Sequence, residues 1–131
     1  MRFNRVSFCL LCAMVFLGCI NPRISTLTPE TLPRNSSNLY PVEIVWESNS
    51  GTVKSETVKP VVWVGSNTYP MEKLLAEDGK WVKNRWHTLI PVDPQQNEVS
   101  YLVKVDWKQS AISAAPGNSL RTEKRLLRIK D

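Results

Sequence analysis

The chain has 131 residues, a formal net charge of +5 and 42% hydrophobic side chains. That suits one domain with its own core and is too little for two. All three cysteines lie at or before Cys19 and there is one histidine. The body of the chain therefore excludes a disulfide scaffold, a cysteine-based zinc site and a cysteine nucleophile.

The N-terminus reads as an export signal. Arg2 and Arg5 precede Val6–Leu17, an uncharged apolar stretch of the length expected for a signal's apolar region, about 7–15 residues. A bilayer-spanning helix needs roughly 20 apolar residues, so this stretch is too short to stay as one. It ends in Phe16-Leu17-Gly18-Cys19. That ending resembles the lipobox of bacterial lipoproteins, in which a small residue precedes the cysteine that receives a diacylglycerol and becomes the new N-terminus. Gly18 and Cys19 fit; Phe16 and Leu17 depart from the commonest residues at their positions. Cys9 and Cys12 sit inside the apolar run with no small residue before them and are poorer acceptors. The competing reading is an ordinary secretory signal with an incidental cysteine. The resemblance implies a signal peptide over 1–18 and acyl chains, palmitate among them, on Cys19. Two such chains suffice for stable membrane anchoring. Ile20 follows, not the aspartate that marks inner-membrane retention in some two-membrane bacteria. The expected location is the cell envelope, at the outer membrane or cell surface if there are two membranes.

Residues 19–39 read as the lipidated cysteine and an extended linker. Pro22, Pro29 and Pro33 stand among several Ser and Thr with no long apolar run, a composition that favours extended chain of about 3 Å per residue. Such a tether lifts a domain off the bilayer, although Ile24 and Leu27 leave room for a first short strand. Asn35-Ser36-Ser37 matches a glycosylation sequon, a three-residue match that is discounted if the chain is bacterial, as the lipobox resemblance implies.

Residues 40–131 read as β throughout. In Tyr40–Trp46, Val42, Ile44 and Trp46 share one face and Glu43 takes the other. In Ser100–Lys108, Tyr101, Val103, Val105 and Trp107 alternate with Lys104, Asp106 and Lys108. A period of two marks strands with one face on a core and one in water. Val61–Val64, bounded by Pro60 and Gly65, suits a strand buried on both faces. Thr88–Val92 and Leu126–Ile129 supply two more, and Met71–Ala76 reads as a strand or loop feeding Asp78-Gly79. Turn formers separate these segments at Asn49-Ser50-Gly51, Gly65-Ser66-Asn67, Asp78-Gly79, Asp93–Asn97 and Pro116–Ser119. Asp-Gly suits a two-residue hairpin turn. Roughly seven short strands at this spacing predict an all-β, immunoglobulin-like two-sheet antiparallel β-sandwich.

Val61-Val62-Trp63-Val64-Gly65, Tyr69-Pro70-Met71, Asp78-Gly79-Lys80-Trp81 and Tyr101-Leu102-Val103-Lys104-Val105 resemble the motifs of early-set immunoglobulin-like domains, especially glycogen- and starch-binding modules. The resemblance implies the sandwich fold and, more weakly, a glycan ligand. The family's sugar-stacking tryptophan has no secure counterpart here; Tyr69 stands near its place.

Chemistry is sparse. A metal site needs converging ligands and a nucleophile needs an oriented base, which His87 alone does not supply. Glu77 with Asp78 and Glu43 with Glu47 are the carboxylate pairs a glycosidase would need, but they fall at a turn and along a strand. The five glycines are scattered and form no phosphate loop. No catalytic residue, metal or cofactor is expected. Five tryptophans are the unusual feature. Trp46, Trp63 and Trp107 are assigned to the core. Trp81 and Trp86 flank the polar Val82-Lys83-Asn84-Arg85, and an exposed aromatic beside cations can stack on sugars or anchor a protein. Trp81, Trp86, Tyr69 and Arg85 are therefore the candidate contact residues. Arg121, Lys124, Arg125, Arg128 and Lys130 read as the solvated face of an edge strand, and an exported protein is not expected to meet nucleic acid. The sequence thus points to a non-catalytic, membrane-anchored lipoprotein, an interaction or structural module for an envelope protein. Its alternatives are a carbohydrate-binding lipoprotein and an accessory subunit of a larger envelope complex.

Overall fold

The computed structural model describes residues 22–48, 51–109 and 117–131. The segment read as an export signal and Cys19 lie outside the described residues. Ten strands among those described form two packed sheets. The first holds β1 (Arg23–Thr26), β3 (Leu39–Glu47), β7 (Trp81–Pro91) and β6 (Glu72–Leu75), in the order β1-β3-β7-β6. The second runs β2 (Thr31–Pro33), β10 (Arg125–Lys130), β8 (Glu98–Trp107), β4 (Lys59–Val64) and β5 (Asn67–Pro70), with β9 (Asn118–Arg121) also on β8. This is an immunoglobulin-like β-sandwich. Every pairing is antiparallel except β2 with β10.

The core follows the alternation. Tyr40, Val42, Ile44 and Trp46 of β3 and Tyr101, Val103, Val105 and Trp107 of β8 are all buried. Val62, Ile90, Leu127 and Ile129 complete it from β4, β7 and β10. Successive side chains of a strand point to opposite faces, so one alternating run places a whole row against the opposing sheet. Full burial of each aliphatic side chain contributes about 1.5–3 kcal/mol relative to exposure.

Four expectations are corrected. The segment read as tether is folded into the sandwich from Arg23 onward, so the domain does not begin at Tyr40. β1 pairs with β3 from Arg23↔Glu47 to Thr26↔Ile44, and β2 pairs with β10. Ile24 and Leu32 reward this by packing on the core. Between the two strands the Thr28 hydroxyl accepts the Glu43 N–H at 2.9 Å and donates to the Pro41 carbonyl at 3.3 Å. Second, β4 is not buried on both faces: Val62 is fully buried and Trp63 is 36% exposed, because no third layer among the described residues covers the outer face of its sheet. Third, β10 is no edge, since it lies between β8 and β2.

The fourth correction concerns a turn. Asp78-Gly79 is part of a three-residue loop, with Ala76 N–H bonded to the Lys80 carbonyl at 2.8 Å and Gly79 N–H to the Ala76 carbonyl at 3.0 Å. Gly79 takes φ 79°, the left-handed residue that closes such three-residue hairpins. Gly65-Ser66 does form a two-residue turn between β4 and β5.

Candidate functional site

The pairing of β6 with β7 breaks where the sequence turns polar. Glu72↔His87 and Lys73↔Trp86 are in register, yet Leu75 pairs with Trp81. Val82, Lys83, Asn84 and Arg85 thus oppose Leu74 alone, and β7 bulges. Asn84 sits at φ 61°, a conformation that asparagine tolerates better than most side chains. Bulges re-aim side chains at sheet edges. This one opens a cleft of about 290 Å³ lined by Trp81, Trp86, Lys73, Lys83 and Arg85, with Trp46, Val53 and Val58 also on its wall.

The four sequence candidates separate. Trp81 is 60% exposed. Trp86 is half-buried and packs on the core opposite Ile44, with the Lys73 ammonium 5.8 Å from its ring centroid, within cation–π range. Arg85 lines the cleft but is committed to Glu43: its Nε donates to Glu43 Oε1 at 2.8 Å and a second guanidinium nitrogen reaches the same oxygen. Tyr69 is on β5 in the other sheet, half-buried against the core, and takes no part in the cleft. Lys73 was not among the candidates; only the pairing of β6 with β7 brings it to Trp86.

Three of the four carboxylates considered for hydrolysis have local partners. Glu43 holds Arg85, Glu47 meets Arg23 at 3.0 Å, and Asp78 Oδ1 accepts the Lys80 N–H at 3.0 Å. His87 lies opposite both Glu43 and Glu72 in the sheet. Among the described residues no three His, Cys, Asp or Glu side chains gather as a metal site would require.

The basic C-terminal run frames a second surface. Three residues, Thr122–Lys124, stand opposite two of β8 between the pairs Arg121↔Lys104 and Arg125↔Tyr101, a bulge joining β9 to β10. The Thr122 hydroxyl accepts the Val103 N–H at 3.0 Å within it, so the backbone stays satisfied. Trp63 lies opposite Leu102 on this sheet, and Leu126 is exposed on β10.

No protein-family model matches the chain, and no curated protein matches it either.

Proposed function

We propose that the protein is a non-catalytic lipoprotein of the cell envelope, anchored through Cys19 and working as an interaction module. The observation that carries this reading is the exposure of two large aromatic side chains, Trp63 on one sheet and Trp81 on the other, on a sandwich whose core is already complete without them. Well-placed exposed aromatics are what partner-binding surfaces concentrate. The lipobox-like ending at Cys19 supports the anchor. No helix among the described residues is long and apolar enough to cross a membrane.

The test is purification of the full-length protein from its own membranes in mild detergent, with Trp81→Ala and Trp63→Ala in parallel. A stoichiometric protein companion, weakened in one variant, is the expected result. No companion in the wild type overturns the reading. The carbohydrate-binding alternative needs two exposed aromatics in one row; Trp81 and Trp63 lie on different sheets and Trp86 is half-buried, which favours the protein partner.

A further inference from the structure

The hairpin that carries Trp81 stands at the end of the sandwich where the chain enters. Arg23, the first residue of β1, pairs with Glu47. On the neighbouring β7, the last residue paired to β3 is Arg85, opposite Val45, and β7 continues beyond it to Trp81. β6 and β7 then close through the turn Ala76–Lys80. The hairpin tip therefore lies at the same end as Arg23, level with it or past it. Cys19 is four residues before Arg23, a span that reaches at most about 14 Å when fully extended. The folding of residues 23–33 into the sheets is what makes this tether so short.

The tip has the composition of an interfacial contact. Leu75 and Trp81 are directly opposite each other, and they are 53% and 60% exposed. Leu74, Leu75, Trp81 and Trp86 line one continuous, mainly apolar groove on this edge, with Glu72, Lys73 and His87. Lys80 and Lys83 flank Trp81 in sequence, while Glu77 and Asp78 occupy the turn. Tryptophan concentrates at the membrane–water interface, where its ring is buried and its N–H stays wet. Charges of both signs on the tip nearly cancel, so apolar contact and not attraction to anionic lipid is what it offers.

We infer that the Leu75–Trp81 hairpin tip seats in the headgroup layer of the membrane that holds the Cys19 acyl chains, giving the domain a second contact and a fixed tilt. This rests on the lipid-anchor reading above. The second sheet's outer face, with Trp63, is then left free for an envelope partner.

The test uses the mature lipidated protein reconstituted into phosphatidylcholine vesicles, with and without brominated acyl chains that quench tryptophan on contact. Intact mass first establishes whether the protein carries lipid, with Cys19→Ser as the comparison. In lipidated protein, bromolipid quenching is expected in the wild type and in Trp63→Phe, and to fall by more than half in Trp81→Phe. Adding phosphatidylglycerol should change it little. Lipidated protein with no quenching, or with quenching unchanged in Trp81→Phe, overturns this inference alone. A tip that stays open to aqueous acrylamide in vesicles, yet becomes protected when an envelope protein is added, assigns it to that protein instead. Absence of lipid on the mature protein overturns the anchor reading and this inference together.

Discussion

Trp46 and Trp107 meet across the two sheets with ring centroids 4.7 Å apart and planes tilted by 49°. They are the last inward side chains of β3 and β8, 5% and 6% exposed, and they close the core at the end where the cleft opens. A tilted aromatic pair contributes about 0.5–1.5 kcal/mol beyond the area it buries. The wall of the cleft is thus part of the folding core, while Trp81 at its rim is not. Stability and binding can be separated by mutation.

Trp107→Ala is expected to destabilise the domain by about 3–5 kcal/mol, the range for removing a large buried aromatic. Urea unfolding followed by circular dichroism measures it. A change below 1 kcal/mol would show that the pair does not hold the sheets together.

Trp81→Ala should leave stability within about 0.5 kcal/mol of wild type, as for most exposed substitutions. The same urea titration decides, and a cost comparable to that of Trp107→Ala would move Trp81 into the core.

Arg34 joins three parts of the chain at the opposite end of the sandwich. Its guanidinium donates to the Pro94 carbonyl at 2.8 Å, the Gln96 carbonyl at 3.1 Å and Asn97 Oδ1 at 2.8 Å, and it pairs with Asp131. Its backbone N–H bonds the Lys130 carbonyl at 2.7 Å. Arg34→Ala is expected to cost about 1–2 kcal/mol, chiefly through the charge-assisted bonds to backbone carbonyls, since Asp131 is well exposed and its pairing is screened. Faster hydrogen exchange at Arg128 and Lys130 should accompany the loss; unchanged exchange there would argue against the link.

Burial raises the Tyr101 hydroxyl above its ordinary value of 10.0, with the Arg125 charge and a Thr28 hydrogen bond pulling the other way. The folded state therefore holds this proton more tightly than the unfolded state. Its contribution is complete below pH 10.0 and is lost as pH rises through the raised folded value. Stability of the wild type should fall more steeply in that alkaline window than stability of Tyr101→Phe. Parallel slopes for the two proteins would contradict the shift.

Gly79→Ala places a side chain at φ 79° with no atom within 4 Å of its Cβ, so any cost is backbone strain alone. It should destabilise by about 1 kcal/mol without altering the core. A neutral result would mean that the turn relaxes to another conformation.

Much of the fold is legible in the sequence, and the reason is local. Val42, Ile44 and Trp46, like Tyr101, Val103, Val105 and Trp107, alternate in a way that commits one face of each strand whatever it pairs with. The candidate site was legible only in part. Trp81 stands out as an aromatic in a polar stretch, but nothing around Lys73 announces Trp86, because that contact exists only through the β6–β7 register. Arg85 and Tyr69 look alike as exposed polar or aromatic candidates until Glu43 and the core claim them.

By itself the sequence determined the strand period, the inward rows of β3 and β8, the turn at Gly65-Ser66 and the absence of cysteine from the body of the chain. Each is a property of neighbouring residues. The tertiary structure alone decided that residues 23–33 join the sheets, that Trp63 faces outward and that β10 lies inside its sheet. It also decided that the Trp81 hairpin shares an end with Arg23. Those outcomes depend on which distant strands pair and which sheet face a second layer covers, and hydrogen bonding between strands carries no mark in the residues of either strand alone.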